Sequence, residues 1–88
     1  MPPKFVPDAL AAGIPPDDVR RLFEKIAWLW ANRKLIQHSP LKANLAGFFK
    51  RRLGDYRIIY TYDGEADDMV VHLVAPRDIV YKILSGKK

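Results

Sequence analysis

Cysteine is absent from this sequence. There is no thiolate for a disulfide, a zinc site or a nucleophile, and a small domain without disulfides fits a reducing, cytoplasmic setting. Histidine is scarce: His38 and His72 stand far apart and, without cysteine, make no zinc pattern. The acidic run DGEADD, residues 63 to 68, lacks the spacing of a calcium loop. No Ser-His-Asp motif and no glycine-rich phosphate loop occur. No apolar run approaches the roughly 18 residues of a membrane span, and the opening MPPKFVPDAL lacks the long apolar core of a signal peptide. The expectation is a cytoplasmic protein with no metal, no cofactor and no membrane partner.

What is present is a compact-domain composition with uneven charge. The 88 residues suffice for one small domain, residues 1 to 88. A chain of this size buries only somewhat more than about 60% of its unfolded surface, so its core must be efficient. Hydrophobic residues at 49% supply that core and argue against disorder. The net charge is +5, which suits a polyanionic partner, either nucleic acid or an acidic protein. The charge is also segregated. Residues 42 to 57 carry Lys42, Lys50, Arg51, Arg52 and Arg57 against Asp55 alone, while Asp63, Glu65, Asp67 and Asp68 crowd the later turn.

Hydrophobic periodicity divides the chain. Near the N-terminus, Lys4-Phe5-Val6 has the makings of a short edge strand. Asp8 is placed to cap a short helix over Ala9 to Ala12 that Gly13 would stop. Residues 15 to 37 then read as one long amphipathic helix. Pro16 suits its first turn, Asp17 and Asp18 its positive end, and Arg33 and Lys34 its C-terminal end. Val19, Leu22, Phe23, Ile26, Leu29 and Trp30 form its apolar stripe. Trp28 falls off that stripe, near Arg21, Lys25 and Asn32. It either packs on the short N-terminal helix or marks a partner-binding surface, since exposed aromatics often anchor interfaces.

After the connector HSPLKANL the period changes to two. Residues 47 to 53, 56 to 62 and 69 to 75 read as strands, joined by the two-residue loop Gly54-Asp55 and by the acidic turn. Pro76 ends the third strand, which reads as covered on both faces, and one short element follows. The expected fold class is α+β. A short helix and a long amphipathic helix pack on one face of a small twisted antiparallel sheet.

This register has a chemical consequence. With Gly54 and Asp55 in the loop, Arg52 opposes Arg57, and Lys50 opposes Ile59. Phe49, Leu53, Tyr56, Ile58 and Tyr60 share the core face, where Arg51 must snorkel outward. Lys50, Arg52 and Arg57 share the other face. The third strand returns Arg77 to the same end, and Tyr81 lies one helical turn further on. Like charges directly opposite one another destabilise a sheet. A phosphate held by guanidinium forks would relieve them, and a tyrosine beside them is suited to proton transfer. An exposed, well-solvated basic face is the alternative. His72, in mid-strand, reads as structural.

The stretch LKANLAGFFKRRLGDYRIIYTYDGEADDMVVHLVAPRDIVYK, residues 41 to 82, resembles the C-terminal half of the RelE/ParE superfamily of toxins from toxin–antitoxin pairs. The carrying features are Leu45 and Gly47, the basic strand Lys50 to Arg52, GDYRIIY, the apolar strand ending at Arg77, and IVY with Tyr81. The resemblance implies a cytoplasmic toxin neutralised by a cognate acidic antitoxin. RelE-like members cleave messenger RNA in the ribosomal A site without metal, by attack of a 2′-hydroxyl on the adjacent phosphate. It implies Lys50, Arg52, Arg57, Arg77 and Tyr81 as the catalytic set, with Lys42, Arg51 and Lys82 as further RNA contacts. ParE-like members poison DNA gyrase and typically lack the full set, so its presence here favours the ribonuclease. The alternatives are a ParE-like toxin and a degenerate module that only binds antitoxin. The N-terminal strand looks very short for the family, and two further departures stand out. Arg52 replaces a lysine found in some relatives, and Ala75-Pro76-Arg77 replaces a glycine-containing approach.

Overall fold

The structure is a computed structural model that describes residues 2–41 and 47–85; Lys42, expected to contact RNA, lies outside the described residues. In chain order the elements are β1 (Lys4–Phe5), α1 (Pro16–Ala31), β2 (Ser39–Pro40), β3 (Phe49–Leu53), β4 (Tyr56–Asp63), β5 (Asp68–Pro76) and α2 (Arg77–Ser85). The strands form one five-stranded sheet in the order β1-β5-β4-β3-β2. β1 runs parallel to β5 and the other pairs are antiparallel, so the sheet is mixed where a purely antiparallel one was expected.

The α+β class holds, with two helices packed on the sheet. Their placement differs from the expectation. The segment from Asp8 to Ala12 is not helical. Asp8 adopts a left-handed φ of 61°, and the chain beyond it runs along the outer edge of β5. Ala11 N–H donates to the Val74 carbonyl at 2.9 Å, and Val74 N–H donates to the Ala9 carbonyl at 2.7 Å. A helix would satisfy its own backbone and leave those β5 groups unpaired; an extended segment satisfies both. The second helix is instead the C-terminal α2, where only a short element was expected.

Helix α1 starts as expected, with Pro16 at its first positions and Asp17 and Asp18 in the first turn. It ends at Ala31, six residues before the expected limit, because Asn32 closes it. Asn32 directs both its backbone N–H, at 3.0 Å, and its side-chain Nδ2, at 2.9 Å, to the Trp28 carbonyl. A side chain that bonds its own backbone in this way competes with helix propagation.

The two helices lie on opposite faces of the sheet. Leu22, Ile26 and Leu29 of α1 pack on Ile58, Tyr60, Met69, Val71 and Val74. Val80 and Leu84 of α2 pack with Ile59, Leu73, Ala75 and Phe48 on the reverse face. Each large aliphatic side chain fully buried this way contributes about 1.5–3 kcal/mol. Phe23 sits at the border of the α1 stripe, half-exposed, with its ring edge-on to Phe5 at 5.5 Å.

A polar clamp ties the end of α1 to the acidic turn. Arg33 grips Asp67 with a bidentate fork, Nε to Oδ1 at 2.6 Å and Nη2 to Oδ2 at 2.8 Å. Tyr62 Oη donates to the same Oδ1 at 2.8 Å, and the Arg33 guanidinium stacks on Trp30 at 3.7 Å. The hydrogen bonds from Arg33, then from Tyr62, hold the Asp67 carboxyl well below the usual carboxylate range. A depressed folded pKa means that the stabilisation is present above the unfolded value of about 4 and is lost as pH falls toward the folded one. Thermal unfolding from about pH 7 down to about pH 2 tests this. Asp67→Asn lowers the midpoint near neutrality and flattens the acid limb, so the two proteins converge in acid. Parallel acid limbs would contradict the clamp.

Candidate functional site

The site is built on the β3–β4 hairpin. Gly54 occupies the first loop position with φ 56°, a left-handed value that glycine takes without strain and that a tight hairpin loop beginning in glycine requires. The pairing is Leu53 with Tyr56, Arg52 with Arg57, Arg51 with Ile58 and Lys50 with Ile59. This is the register read from the sequence. A bulge does occur in the sheet, but between β4 and β5, where His72 is the extra residue opposite the Ile59–Tyr60 step. It changes which β5 side chains face α1 and leaves the cationic face of the hairpin intact.

Arg57 is the centre of the arrangement. Only 9% exposed, it is the one charged residue in the core among the described residues. Its Nη1 reaches the Tyr56 carbonyl at a long 3.4 Å. Among the described residues, no carboxylate forms a salt bridge with Lys50, Arg51, Arg52, Arg57 or Arg77. A buried guanidinium without a counter-ion is costly, which marks the place where an anion would gain most.

Arg77 joins this cluster through the backbone. Pro76 is the last β5 residue and pairs with Tyr56, and Arg77 N–H donates to the Asp55 carbonyl at 2.8 Å. The first residue of α2 is thereby fastened to the hairpin loop. One turn later, Tyr81 presents its ring to the Arg77 guanidinium at 5.7 Å. Hydrogen bonding to Arg77, then to Arg57, pulls the Tyr81 phenol below its ordinary pKa. The other three tyrosines shift upward. Tyr56 does so chiefly through its hydrogen bond to Asp18, and Tyr60 and Tyr62 chiefly through desolvation. The site thus combines cations able to hold a phosphate with a phenol readied to exchange a proton.

An open cleft of about 340 Å³ adjoins this cluster, lined by Lys25, Ser39, Lys50, Arg51, Arg52 and Arg57. Its origin is the shortness of β2, which pairs only with Phe49 and Lys50. Beyond Lys50 the outer edge of β3 has no strand partner among the described residues, so side chains from both faces turn around that edge. Arg51 takes this route. Its Nη2 donates to the Gln37 carbonyl at 3.2 Å, and its guanidinium lies 5.7 Å from the Trp28 ring.

The structure therefore sorts the expected site residues into two groups that share Arg57. Arg57, Arg77 and Tyr81 are linked by direct interactions, and Lys50, Arg51, Arg52 and Arg57 share the cleft. Lys82 is exposed on α2, one residue past Tyr81, and does not line the cleft. Lys25 and Ser39 were not singled out from the sequence. Lys25 is detectable as the i−3 helical neighbour of Trp28, whereas Ser39 depends on a two-residue strand pairing that leaves no local signal. His38 lies outside the site. Its Nε2–H donates to the Arg33 carbonyl at 2.9 Å, and its Nδ1 lies in hydrogen-bond contact with the Tyr60 hydroxyl at 2.6 Å. His72 meets Thr61 Oγ1 at 3.1 Å and the edge of Phe48 at 4.9 Å, and burial lowers its pKa.

A spectrophotometric titration tests the electrostatics. Of the four tyrosines, one ionises first, below about pH 10, and the other three ionise above it. Arg77→Gln raises that first step, whereas Tyr81→Phe abolishes it. Four phenols titrating together would contradict the arrangement.

No family model and no curated protein matches the chain. Solved structures do match. The RelBE2 toxin–antitoxin complex of Mycobacterium tuberculosis contains a chain of 27% identity, with a TM-score of 0.71 over 84% of this chain and 87% of that one. In the RelB–RelE antitoxin–toxin complex of Methanococcus jannaschii, a chain of 18% identity aligns with a TM-score of 0.63 over 91% of this chain and 96% of that one. For a mutant of E. coli toxin RelE in complex with a RelB antitoxin peptide, the identity is 15% and the TM-score 0.67, over 100% and 97%. These likenesses do not separate a RelE-like from a ParE-like activity. In fold, the chain is similar to these RelE-containing structures.

Proposed function

We propose that the chain is the toxin of a toxin–antitoxin pair and cleaves messenger RNA in the ribosomal A site. The observation that carries this reading is the Tyr81 phenol interacting with two guanidiniums, Arg57 and Arg77, with Lys50 and Arg52 on the same sheet face. That set can perform transesterification with side chains alone. The scissile phosphate binds against Arg57, whose burial makes its charge count for more than a solvated one. The Tyr81 phenolate, favoured by the two cations, takes the proton of the 2′-hydroxyl. The new 2′-oxygen–phosphorus bond forms as the bond to the 5′-oxygen breaks. Arg77 stabilises the departing oxygen by hydrogen bonding until it takes a proton from solvent; as a permanent cation it is poorly suited to act as the acid itself. The products are a 2′,3′-cyclic phosphate end and a 5′-hydroxyl end. Lys50 and Arg52 hold the flanking backbone, with Lys42, Arg51 and Lys82 as outer RNA contacts.

A site with no strong base works best when the RNA arrives already bent into the attack geometry, which is the contribution assigned to the ribosome. The partner proposed to silence the toxin is an acidic antitoxin, consistent with the +5 charge of this chain and with the antitoxin complexes of the similar structures. Expression of the chain, followed by mapping of transcript ends and DNA integrity, tests the reading. Cuts in translated messages and growth arrest are expected, with intact DNA. The double variant Arg77→Ala with Tyr81→Phe relieves the arrest and still binds antitoxin. Each lost contact to developing charge costs about 10²–10³ in rate. Double-strand DNA breaks without RNA cuts, or full toxicity of the double variant, would overturn it.

A further inference from the structure

The cleft along β3 does not end at the cations. Two of its lining residues, Lys25 and Arg51, also approach Trp28, an α1 side chain that is 42% exposed. Lys25 Nζ lies 4.0 Å from the ring centroid, and the Arg51 guanidinium lies 5.7 Å from it. With no N-terminal helix to cover it, Trp28 does not belong to the core. Arg51 Nε is buried with no hydrogen-bond partner among the described residues. Buried polar atoms without partners are few in native proteins, and this one sits where the fold carries a cation from the α1 face to the mouth of the cleft.

A positively charged groove leading to an exposed indole is the arrangement that binds single-stranded nucleic acid. Cations track the phosphates, and the ring stacks on a base without regard to its identity. The cleft volume of about 340 Å³ suits one nucleotide-sized unit. We propose that Trp28 is a base-stacking platform for the nucleotide flanking the one held at Arg57, with Lys25 and Arg51 gripping the intervening phosphate. This extends the proposed nuclease reading by giving the RNA a path along the cleft from β3 onto α1. An exposed cation–π contact is weak, so an arriving base displaces Lys25 from the indole toward the phosphate. An acidic protein segment would also be drawn to the cations, but an acidic side chain gains nothing from the flat face of the indole, whereas a base does.

Fluorescence anisotropy of a labelled, uniformly 2′-O-methylated RNA hexamer tests the platform without requiring cleavage. The wild-type chain is expected to bind, with quenching of tryptophan emission. Trp28→Ala weakens binding by about five- to hundredfold, and Trp28→Phe retains most of it. Lys25→Gln lowers the slope of log affinity against log salt by about 0.7, the loss of one phosphate contact on a single strand. Thermal midpoints of these variants stay close to wild type, which separates lost stacking from lost folding. The same hexamer is run in parallel with the transcript-end assay. Trp28-dependent binding without cellular RNA cuts upholds the platform and sinks the nuclease reading. RNA cuts with unchanged hexamer affinity in Trp28→Ala overturn the platform and spare the nuclease. No saturation near 100 µM, the weak end of nonspecific binding, also overturns it. So does a Trp28→Ala chain that loses antitoxin and keeps RNA, which would make the surface a protein-docking face.

Discussion

The Gly54-Asp55 loop sets a register in which Arg52 and Arg57 stand opposite each other on adjacent strands. Most of the proposed chemistry depends on that pairing. A loop one residue longer would turn Arg57 toward α1 and Ile58 toward α2, exchanging a cation for an apolar side chain on each face. The left-handed φ at Gly54 keeps the loop tight, and the Arg77 amide bonding to the Asp55 carbonyl fastens α2 to the same loop. One turn of chain thus aligns three arginines from β3, β4 and α2. Their mutual repulsion is a cost that a bound phosphate would relieve.

The rest of the fold supports this cationic end and leaves a cleft beside it. Helix α1 packs on one sheet face and the short α2 on the other, so β4 is covered on both sides where Ile58, Ile59 and Tyr60 lie. At the far end, the Arg33–Asp67–Tyr62 clamp fixes α1 to the acidic turn and uses one of its carboxylates internally. Asp67 is thereby committed to Arg33 and Tyr62 and not to the hairpin arginines. Among the described residues, β2 pairs only with Phe49 and Lys50, and Arg51 and Lys50, which belong to opposite faces, line one cleft there.

Much of this was legible in the sequence because it is local. The hairpin register follows from a glycine-led loop between two β-rich runs, and the basic face follows from alternation along β3. The α1 stripe of Leu22, Ile26 and Leu29 follows from helical spacing. What was not legible is tertiary. Asp8 to Ala12 has helical composition, yet the unpaired edge of β5 draws it into extended pairing. The end of α1 was misplaced because Asn32 caps the helix while the apolar pattern continues past it to Leu35, which is 83% exposed. The short edge strand β1 was read from Lys4-Phe5-Val6, but its parallel pairing with β5 was not, and the two-residue β2 carries no periodic signal of its own. Of the cleft residues, Lys25 and Ser39 come from elements far apart in sequence, so their approach to Arg57 is visible only in three dimensions.

In this scheme the 2′-hydroxyl of the bound RNA is the nucleophile, and arginines and a tyrosine supply the rest of the chemistry. The most direct test uses programmed ribosomes carrying a message in the A site, with and without a single 2′-deoxy nucleotide at the cleavage position. The unmodified message should yield a 2′,3′-cyclic phosphate end and a 5′-hydroxyl end, and the deoxy message should remain intact. Cleavage of the deoxy message, or products bearing a 5′-phosphate, would contradict the proposed role of the Arg57–Arg77–Tyr81 cluster.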